Sequence, residues 1–312
     1  MNQFDLLIKN GMVYTAVDSF EADIAVKDGK IIALGQNLGN AERVIDAEGM
    51  LVLPGGIDAH CHIEQESSTG IMTADDFYSG SVSAAFGGNT TFLPFAAQHR
   101  GQSLREVVDT ARDRARTKAV IDYGLHLIIS DPTEKVLEEE LPALIKEGYT
   151  SFKVYMTYEM LKINDREMLD ILALARKNGA MTMVHAENNE VITWITERLL
   201  TRGYHAPKFH AVSHAPIAES EASRRAIDLA RLVDAPLLIV HVSEPEAARA
   251  ILEARNNGLP IYGETCPQYL FLTAEDLNKN GMEGAKYCCS PPPRDKAAQE
   301  AIWLGFRNGP FQ

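Results

Sequence analysis

From Pro54 onward, short apolar runs alternate with amphipathic stretches, and this alternation is the strongest constraint on the fold. The intervening stretches, for example residues 103–119 and 244–258, carry apolar residues at helical spacing. The second of them ends in Asn257-Gly258, which predicts a helix stop. Repeated strand–helix units predict a parallel sheet. We predict seven strands, at residues 56–62, 89–95, 122–129, 150–156, 181–186, 236–242 and 260–265.

A closed barrel explains this pattern better than an open, doubly wound sheet. An open sheet that binds a nucleotide carries a glycine-rich loop after its first strand, whereas here the first strand runs into His60-Cys61-His62. The chemistry of a barrel of this type lies at the carboxyl ends of its strands. We therefore predict a TIM-like (β/α)8 barrel over residues 54–312. Its last unit is expected to be missing, because an eighth strand should begin where the sequence ends.

Residues 1–53 have a different character and are predicted to form a separate segment. They read as short strands with turn signals at Asn10-Gly11 and Asp28-Gly29. We interpret this segment as part of a small β-sandwich that precedes the barrel.

Composition narrows the class of protein and its partners. The 312 residues carry a net charge of −13, which argues against a nucleic-acid or anionic-membrane partner. The chain has no apolar run of about 18 residues and no secretory signal pattern. Its four cysteines form no CxxC pair, which fits a reducing compartment. We expect a cytoplasmic protein that acts on a small molecule.

Polar residues at the ends of four predicted strands indicate one shared site. His60 and His62 are two positions apart and so lie on one face of a strand, from which both rings can reach one cation. His185 and His241 each end an aliphatic run. Imidazole ligands suit zinc, with manganese, cobalt or iron as alternatives. Asp58 and Glu187 are candidates for outer partners of these ligands.

Lys153 is the unusual member of this set. A lysine that points into a barrel is desolvated, which lowers its pKa and leaves an amine that can react with carbon dioxide. The resulting carbamate can bridge two cations. The alternative is a lysine that reaches solvent from an edge strand.

The remaining histidines are predicted to lie outside the site. His126 falls within a strand and is interpreted as structural. His205, His210 and His214 occupy a segment between two helices, away from the strand ends.

Six stretches of the sequence, which carry His60, Lys153 and the other residues of the predicted site, resemble stretches of dihydropyrimidinases and D-hydantoinases. These are cyclic amidohydrolases of the amidohydrolase superfamily. The resemblance spans essentially the whole sequence and implies a (β/α)8 barrel with an N-terminal sandwich segment. It also implies two zinc ions bridged by a carboxylated lysine, and a homotetramer. The implied reaction is ring opening of dihydropyrimidines or 5-substituted hydantoins to N-carbamoyl amino acids, by attack of a metal-bridged hydroxide. The matching stretches are PGGIDAHCHIE, SFKVYMTY, VHAEN, VHVS, ETCPQYL and CSPPPRDK.

The resemblance also implies a role for individual residues. Tyr155 resembles the tyrosine whose hydroxyl stabilises the developing oxyanion, and Ser290 resembles a residue that contacts substrate through its backbone. His60 and His62 resemble ligands of the first metal. His185 and His241 resemble ligands of the second metal, and Lys153 resembles the carboxylated bridge.

Two features depart from the family pattern. The family's sixth ligand and general base is an aspartate at the end of strand eight, which would lie beyond Gln312. We therefore expect the 312-residue polypeptide by itself to have little or no hydrolase activity. In addition, the loops after strands one and two are polar, which suggests a polar substituent on the substrate and Arg100 as an anion contact. The residues concerned are Glu66, Gln98, His99 and Arg100.

Three other functions stay open at this stage. A dihydroorotase usually has an arginine soon after its HxH motif, whereas here Ile63-Glu64-Gln65 follows. An allantoinase is compatible with the sequence. A non-enzymatic, dihydropyrimidinase-related assembly protein would lack much of the ligand set that this chain retains.

Overall fold

The fold is taken from a computed structural model, which describes residues 3–67 and 70–311. The chain divides into two compact units. The first comprises the chain up to Asp58 together with Ser83–Thr91, and the second comprises Ala59–Val82 and the chain from Phe92 onward. The sequence-based boundary after residue 53 stays a prediction.

The first unit contains a five-stranded mixed sheet. Its order is β3-β2-β1-β4, and β5 also pairs with β1. The β1–β2 and β2–β3 pairs are antiparallel, whereas β4 and β5 are parallel to β1. The strands are β1 (Phe4–Tyr14), β2 (Ser19–Lys27), β3 (Lys30–Gly35), β4 (Ala41–Asp46) and β5 (Leu51–Val52).

The two predicted turns of this unit have different outcomes. The Asp28-Gly29 turn is confirmed, because it joins β2 to β3 with φ angles of 51° and 71°. The Asn10-Gly11 turn is wrong, since β1 continues through it with a shift of register. Asn10 has a φ of 60°, and a Cβ on Gly11 would lie 2.5 Å from Val52 Cγ2. One left-handed residue gives a bulge in a strand that has neighbours on both sides, not a reversal of the chain.

The second sheet is parallel and alternates with helices, as predicted. Its order is β13-β12-β11-β10-β9-β7-β6, with β8 paired to β7. Among the described residues, no helix is long and apolar enough to cross a membrane. The elements are β6 (Gly56–Cys61), α1 (Phe77–Phe86), β7 (Asn89–Ala97), α2 (Leu104–Lys118), β8 (Asp122–Tyr123), β9 (His126–Ile128), α3 (Leu141–Lys146), β10 (Ser151–Tyr155), α4 (Asp165–Asn178), β11 (Met181–His185), α5 (Asn189–Thr201), α6 (Lys208–Ser213), α7 (Pro216–Leu232), β12 (Leu237–Ile239), α8 (Pro245–Asn256), β13 (Ile261–Gly263), α9 (Pro267–Phe271) and α10 (Lys296–Asn308).

All seven predicted strands correspond to strands of this sheet, with two adjustments. The strand predicted at 122–129 is divided between β8 and β9, which both pair with β7, and Gly124 between them donates its N–H to the Phe92 carbonyl of β7 at 3.1 Å. β12 ends at Ile239, so His241 lies in the loop after the strand and not at its last position. The Asn257-Gly258 stop of α8 is confirmed, and Gly258 has a φ of 78°.

The chain returns to the sheet after α10. Phe311, the last described residue, forms a parallel bridge to Gly263 of β13. Its buried ring packs against α10, where a Cβ on Gly305 would lie 2.6 Å from Phe311 Cε2. Phe311 therefore lies beside β13, at the position where the sequence predicts an eighth strand.

Alternation along the strands separates an outer layer from an inner one. Phe152 and Val154 of β10 belong to the large apolar cluster that the sheet forms with the helices. Lys153 and Tyr155 have the opposite orientation, because successive side chains of a strand point to opposite faces. Tyr155 packs there in a second, smaller cluster with Met183 of β11. The inner face is where the polar residues of the site lie.

We expect the helix–sheet cluster to dominate stability. Ile171 of α4 is completely buried in it, so Ile171→Ala should lower the free energy of unfolding by about 2–5 kcal/mol. The matched control is Ile217→Ala on α7, where the side chain is 62% exposed and the change should stay within about 0.5 kcal/mol. Urea unfolding of both variants measures the difference, and equal losses would contradict this assignment of the core.

Candidate metal centre

The structure brings the five predicted ligand residues together on the inner face of the parallel sheet. Lys153 Nζ lies 3.2 Å from His60 Nε2. The ring centroid of His60 is 5.5 Å from that of His62 and 5.5 Å from that of His241. The rings of His185 and His241 are 4.4 Å apart. Residues separated by up to about 180 positions in the chain thus form one cluster of neighbouring side chains.

Lys153 is the most deeply buried of the five predicted ligands. Its side chain is 1% exposed, and Nζ lies 5.2 Å from the ring centre of Phe95 and 5.3 Å from that of Tyr155. Burial lowers the pKa of Lys153 to about 7, although the charges of Glu264 and Cys266 act in the opposite direction. A substantial fraction of the side chain is therefore a neutral amine near neutral pH.

Two carboxylates fix the orientation of two of the histidines. Glu264 Oε1 lies 2.7 Å from His60 Nδ1, and Glu187 Oε2 lies 2.7 Å from His185 Nε2. An ionised carboxylate only accepts hydrogen bonds, so each of these ring nitrogens is the donor. The opposite nitrogens then carry the lone pairs, namely Nε2 of His60, which lies 3.2 Å from Lys153 Nζ, and Nδ1 of His185. Glu187 was predicted to be such a partner, whereas Glu264 was not.

His62 is held in a comparable way by a neutral group. Its Nδ1 lies 2.7 Å from Oε1 of Gln65, in the loop after β6. Its ring stacks on Phe95 with centroids 4.9 Å apart and an interplanar angle of 19°. Because Gln65 Oε1 accepts the hydrogen of Nδ1, the Nε2 lone pair of His62 is available on the other side of the ring.

His241 combines backbone strain with an unused polar atom. Its φ of 44° lies in the left-handed region, which is costly for a residue with a Cβ. Among the described residues, its buried Nδ1 has no hydrogen-bond partner. Burial lowers the pKa of His241, and the neighbouring charges of His185 and Lys153 lower it further. Strain and an orphaned buried nitrogen of this kind concentrate at functional sites.

The donor set fits a pair of divalent ions in its chemistry. Within residues 3–67 and 70–311, no three His, Cys, Asp or Glu side chains converge on a single ion position. Four imidazoles and one lysine amine nevertheless lie side by side, and a carbamate on Lys153 would add two carboxylate oxygens to them. Cys61 packs against a separate apolar cluster that includes Ile63 and Phe92.

Two tyrosines line the site, of which the sequence argument identified one. The ring of Tyr155 stacks on that of His185 at 5.4 Å. Tyr158 lies edge-on to the same ring at 5.0 Å, and its φ is 68°. Burial raises the pKa of Tyr158, while a hydrogen bond with the Ser290 side chain opposes that rise. Burial likewise raises the pKa of Tyr155. The left-handed conformation of Tyr158 has no sequence signal.

His210 and His214 also reach the site region, although their position between helices suggested otherwise. His214 Nδ1 lies 2.8 Å from Glu187 Oε1. His210 Nε2 donates to the Cys289 carbonyl at 2.8 Å and lies 3.2 Å from the Ser290 hydroxyl. The spacing of these histidines was the only available signal, and it does not reveal that α6 folds back on the strand ends.

Of the other two histidines, His126 is hydrogen-bonded within the sheet and His205 is exposed. Both ring nitrogens of His126 have partners, with Nδ1 2.5 Å from Ser151 Oγ and Nε2 3.0 Å from the Ala59 carbonyl. This pairing agrees with the structural role predicted for His126. His205 is exposed in the loop before α6.

Of the four polar residues singled out in the loops after β6 and β7, Gln98 is buried, His99 is half-buried, and Glu66 and Arg100 are exposed. Gln98 is completely buried and bonds backbone groups of neighbouring loops, so it supports the structure and does not face a substrate. Glu66 and His99 line a cavity of about 250 Å³. Arg100 donates to the Lys162 carbonyl at 3.0 Å.

Comparison with known proteins gives consistent matches. The amidohydrolase family model matches residues 51–279. The D-hydantoinase of Geobacillus stearothermophilus is 46% identical over 308 residues, which cover 98% of this chain and 65% of that protein. A solved D-hydantoinase structure superposes with a TM-score of 0.96 at 45% identity, covering 99% of this chain and 67% of the other. A dihydropyrimidinase from Brevibacillus agri NCHU1002 gives 0.95 at 44% identity, with coverage of 98% and 67%.

The chain thus spans about two thirds of the length of the relatives it matches. The match extends through both units and includes the α/β barrel, so the predicted fold class is confirmed. The chain belongs to the amidohydrolase family, in its group of D-hydantoinases and dihydropyrimidinases.

Proposed function

We propose that this protein hydrolyses cyclic amides or imides, either 5,6-dihydropyrimidines or 5-substituted hydantoins, to N-carbamoyl amino acids. The observation that carries the proposal is the buried Lys153 amine among four converging histidines. A dihydroorotase or an allantoinase is less well supported, since the relatives are named D-hydantoinase and dihydropyrimidinase. A non-enzymatic assembly protein would have no need for this set of residues.

The proposal includes two divalent metal ions, of which zinc is the preferred candidate. His60 and His62 would hold one ion, His185 and His241 the other, and a carboxylated Lys153 would bridge them. The bound ions would supply the Lewis acidity that activates water and polarises the ring carbonyl. Two further proposals are a cytoplasmic location, which the cysteine pattern suggests, and a homotetramer, which the family resemblance implies.

The chain's own residues would orient the ring and stabilise charge. Ser290 would hold the cyclic amide through its backbone groups. Tyr155, as the resemblance implies, is one candidate to direct its hydroxyl at the carbonyl oxygen, where negative charge develops in the transition state. Tyr158 is a second candidate for that hydroxyl, because it interacts with Ser290, the residue proposed to hold the ring.

Carboxylation of Lys153 should depend on pH. An N–C bond forms between Nζ and carbon dioxide, one C=O π bond becomes the carbamate C–O⁻, and the nitrogen releases a proton to water. Only the neutral amine reacts, because only that form has a free lone pair. Because the pKa of Lys153 is lowered to about 7, its neutral fraction and the carbamate signal should rise as the pH increases through that value. Carbon-13 NMR at constant dissolved ¹³CO₂, with and without zinc, measures this signal.

Two lysine variants provide the controls for that experiment. Lys153→Arg should abolish the carbamate signal. Lys135→Arg should leave it unchanged, since that side chain is 68% exposed. A signal that survives Lys153→Arg would contradict the assignment, and so would the absence of any signal over the whole pH range.

Ring opening tests the activity itself. The substrates are dihydrouracil and hydantoins with apolar, polar and anionic substituents. Because the chain spans about two thirds of its relatives, the assay uses it both alone and joined to the remaining third of the Geobacillus D-hydantoinase. We expect turnover by the zinc-loaded joined protein and little or none by the chain alone. A folded, zinc-loaded joined protein that opens none of these rings would overturn the proposal.

A pair of tyrosine variants identifies the oxyanion donor. Removal of one such donor typically lowers kcat by about 10²–10³-fold. We expect Tyr158→Phe to cause this loss, because the Tyr158 hydroxyl interacts with Ser290, the residue proposed to hold the ring. Tyr155→Phe should change kcat only a few-fold. Steady-state kinetics of both variants of the joined protein decides between them, and the reverse pattern would assign the role to Tyr155.

A further inference from the structure

Glu187 is a completely buried carboxylate whose two oxygens each meet a histidine. Oε2 lies 2.7 Å from His185 Nε2, and Oε1 lies 2.8 Å from His214 Nδ1. Each oxygen of the carboxylate accepts a hydrogen bond from one ring, so both facing nitrogens carry hydrogen.

His214 is itself held firmly in place. It lies directly after α6 and donates its backbone N–H to the His210 carbonyl at 3.0 Å. Its own carbonyl accepts a hydrogen bond from Arg294 Nη1. Arg294 in turn donates to Glu219 at 2.8 Å and to Ser243 Oγ at 3.0 Å, within a buried network. The His214 imidazole therefore has little freedom to follow Glu187 if that carboxylate turns.

The same cluster extends to the loop that carries Ser290. The rings of His210 and His214 have centroids 4.3 Å apart. His210 Nε2 donates to the Cys289 carbonyl at 2.8 Å and lies 3.2 Å from Ser290 Oγ. Helix α6 thereby connects the support of His185 with the loop proposed to bind substrate.

We propose that Glu187 and His214 are positioning residues that fix the tautomer and direction of the His185 ring. This inference rests on the proposed role of His185 as a metal ligand. With His214 holding one oxygen, the other oxygen of Glu187 can accept only along the direction of His185 Nε2. His185 then keeps hydrogen on Nε2 and presents the Nδ1 lone pair to the site. Without His214, one oxygen of a buried carboxylate loses its partner, and the carboxylate can rotate away from His185.

The test compares two replacements of the same residue. His214→Leu removes the donor, whereas in His214→Asn the side-chain amide nitrogen takes roughly the position of Nδ1. The first readout is zinc affinity, measured by competition with a chelator. Loss of an outer-shell partner typically weakens metal affinity by about 10–100-fold. We expect a loss of this size in His214→Leu and recovery of most of it in His214→Asn.

The second readout needs neither metal nor turnover. Nitrogen-15 NMR of labelled histidine in the metal-free protein reports which nitrogen of His185 carries the hydrogen. We expect the Nε2–H form in the wild type and in His214→Asn, and a mixture in His214→Leu. His205→Leu is the matched control, because this exposed histidine belongs to the same segment and should change neither readout.

Glu187→Gln supports the test if His214→Leu does not fold. An amide has one accepting oxygen, so only one of the two histidines can remain a donor to it. We expect weaker zinc binding and a mixed His185 tautomer. Unchanged zinc affinity and an unchanged tautomer in the folded variants would overturn the inference. If both readouts shift as expected while the joined protein opens no cyclic amide, the proposed function fails and the positioning role stands.

Discussion

Burial of the Lys153 amine on the inner face of a parallel sheet is the constraint around which the site is arranged. The amine is 1% exposed, and its pKa falls from 10.5 to about 7. A change of this size favours the neutral form by about 5 kcal/mol relative to water. An ordinary ammonium at this position would destabilise the fold, so the position suits a lysine whose nitrogen is chemically altered or takes part in a site. The same desolvation that opposes the charge makes the nitrogen nucleophilic.

The histidines around Lys153 depend on a layer of oxygen acceptors further out. Glu264, Gln65 and Glu187 each bind one ring nitrogen and so determine which nitrogen faces inward. His241 differs, because its Nδ1 is buried without a partner among the described residues and its φ is 44°. Three rings are thus oriented by hydrogen bonds, and the fourth is held by a strained loop after β12.

Much of the fold and of the site could be predicted from the sequence because both depend on local periodicity. Seven apolar runs of strand length alternate with stretches whose apolar residues have helical spacing, and this alternation predicts the parallel sheet. The period of two along β10 predicts that Lys153 faces away from the helix layer. The Asn10-Gly11 turn failed because neighbours on both sides of β1 keep the strand extended, and a single left-handed residue then forms a bulge. Pairing between strands outweighed the local turn signal.

By itself, the sequence determined which residue types lie at the strand ends and in what order, because the alternation of side chains along a strand is a local property. Only the tertiary structure decided which atoms meet. Glu264 reaches His60 across 204 positions, and His214 reaches Glu187 across 27 through the return of α6. Contacts of this kind follow from the closure of long loops around a packed core, for which no short segment carries a signal. The ring nitrogens that remain available for a metal are therefore a property of the assembled fold.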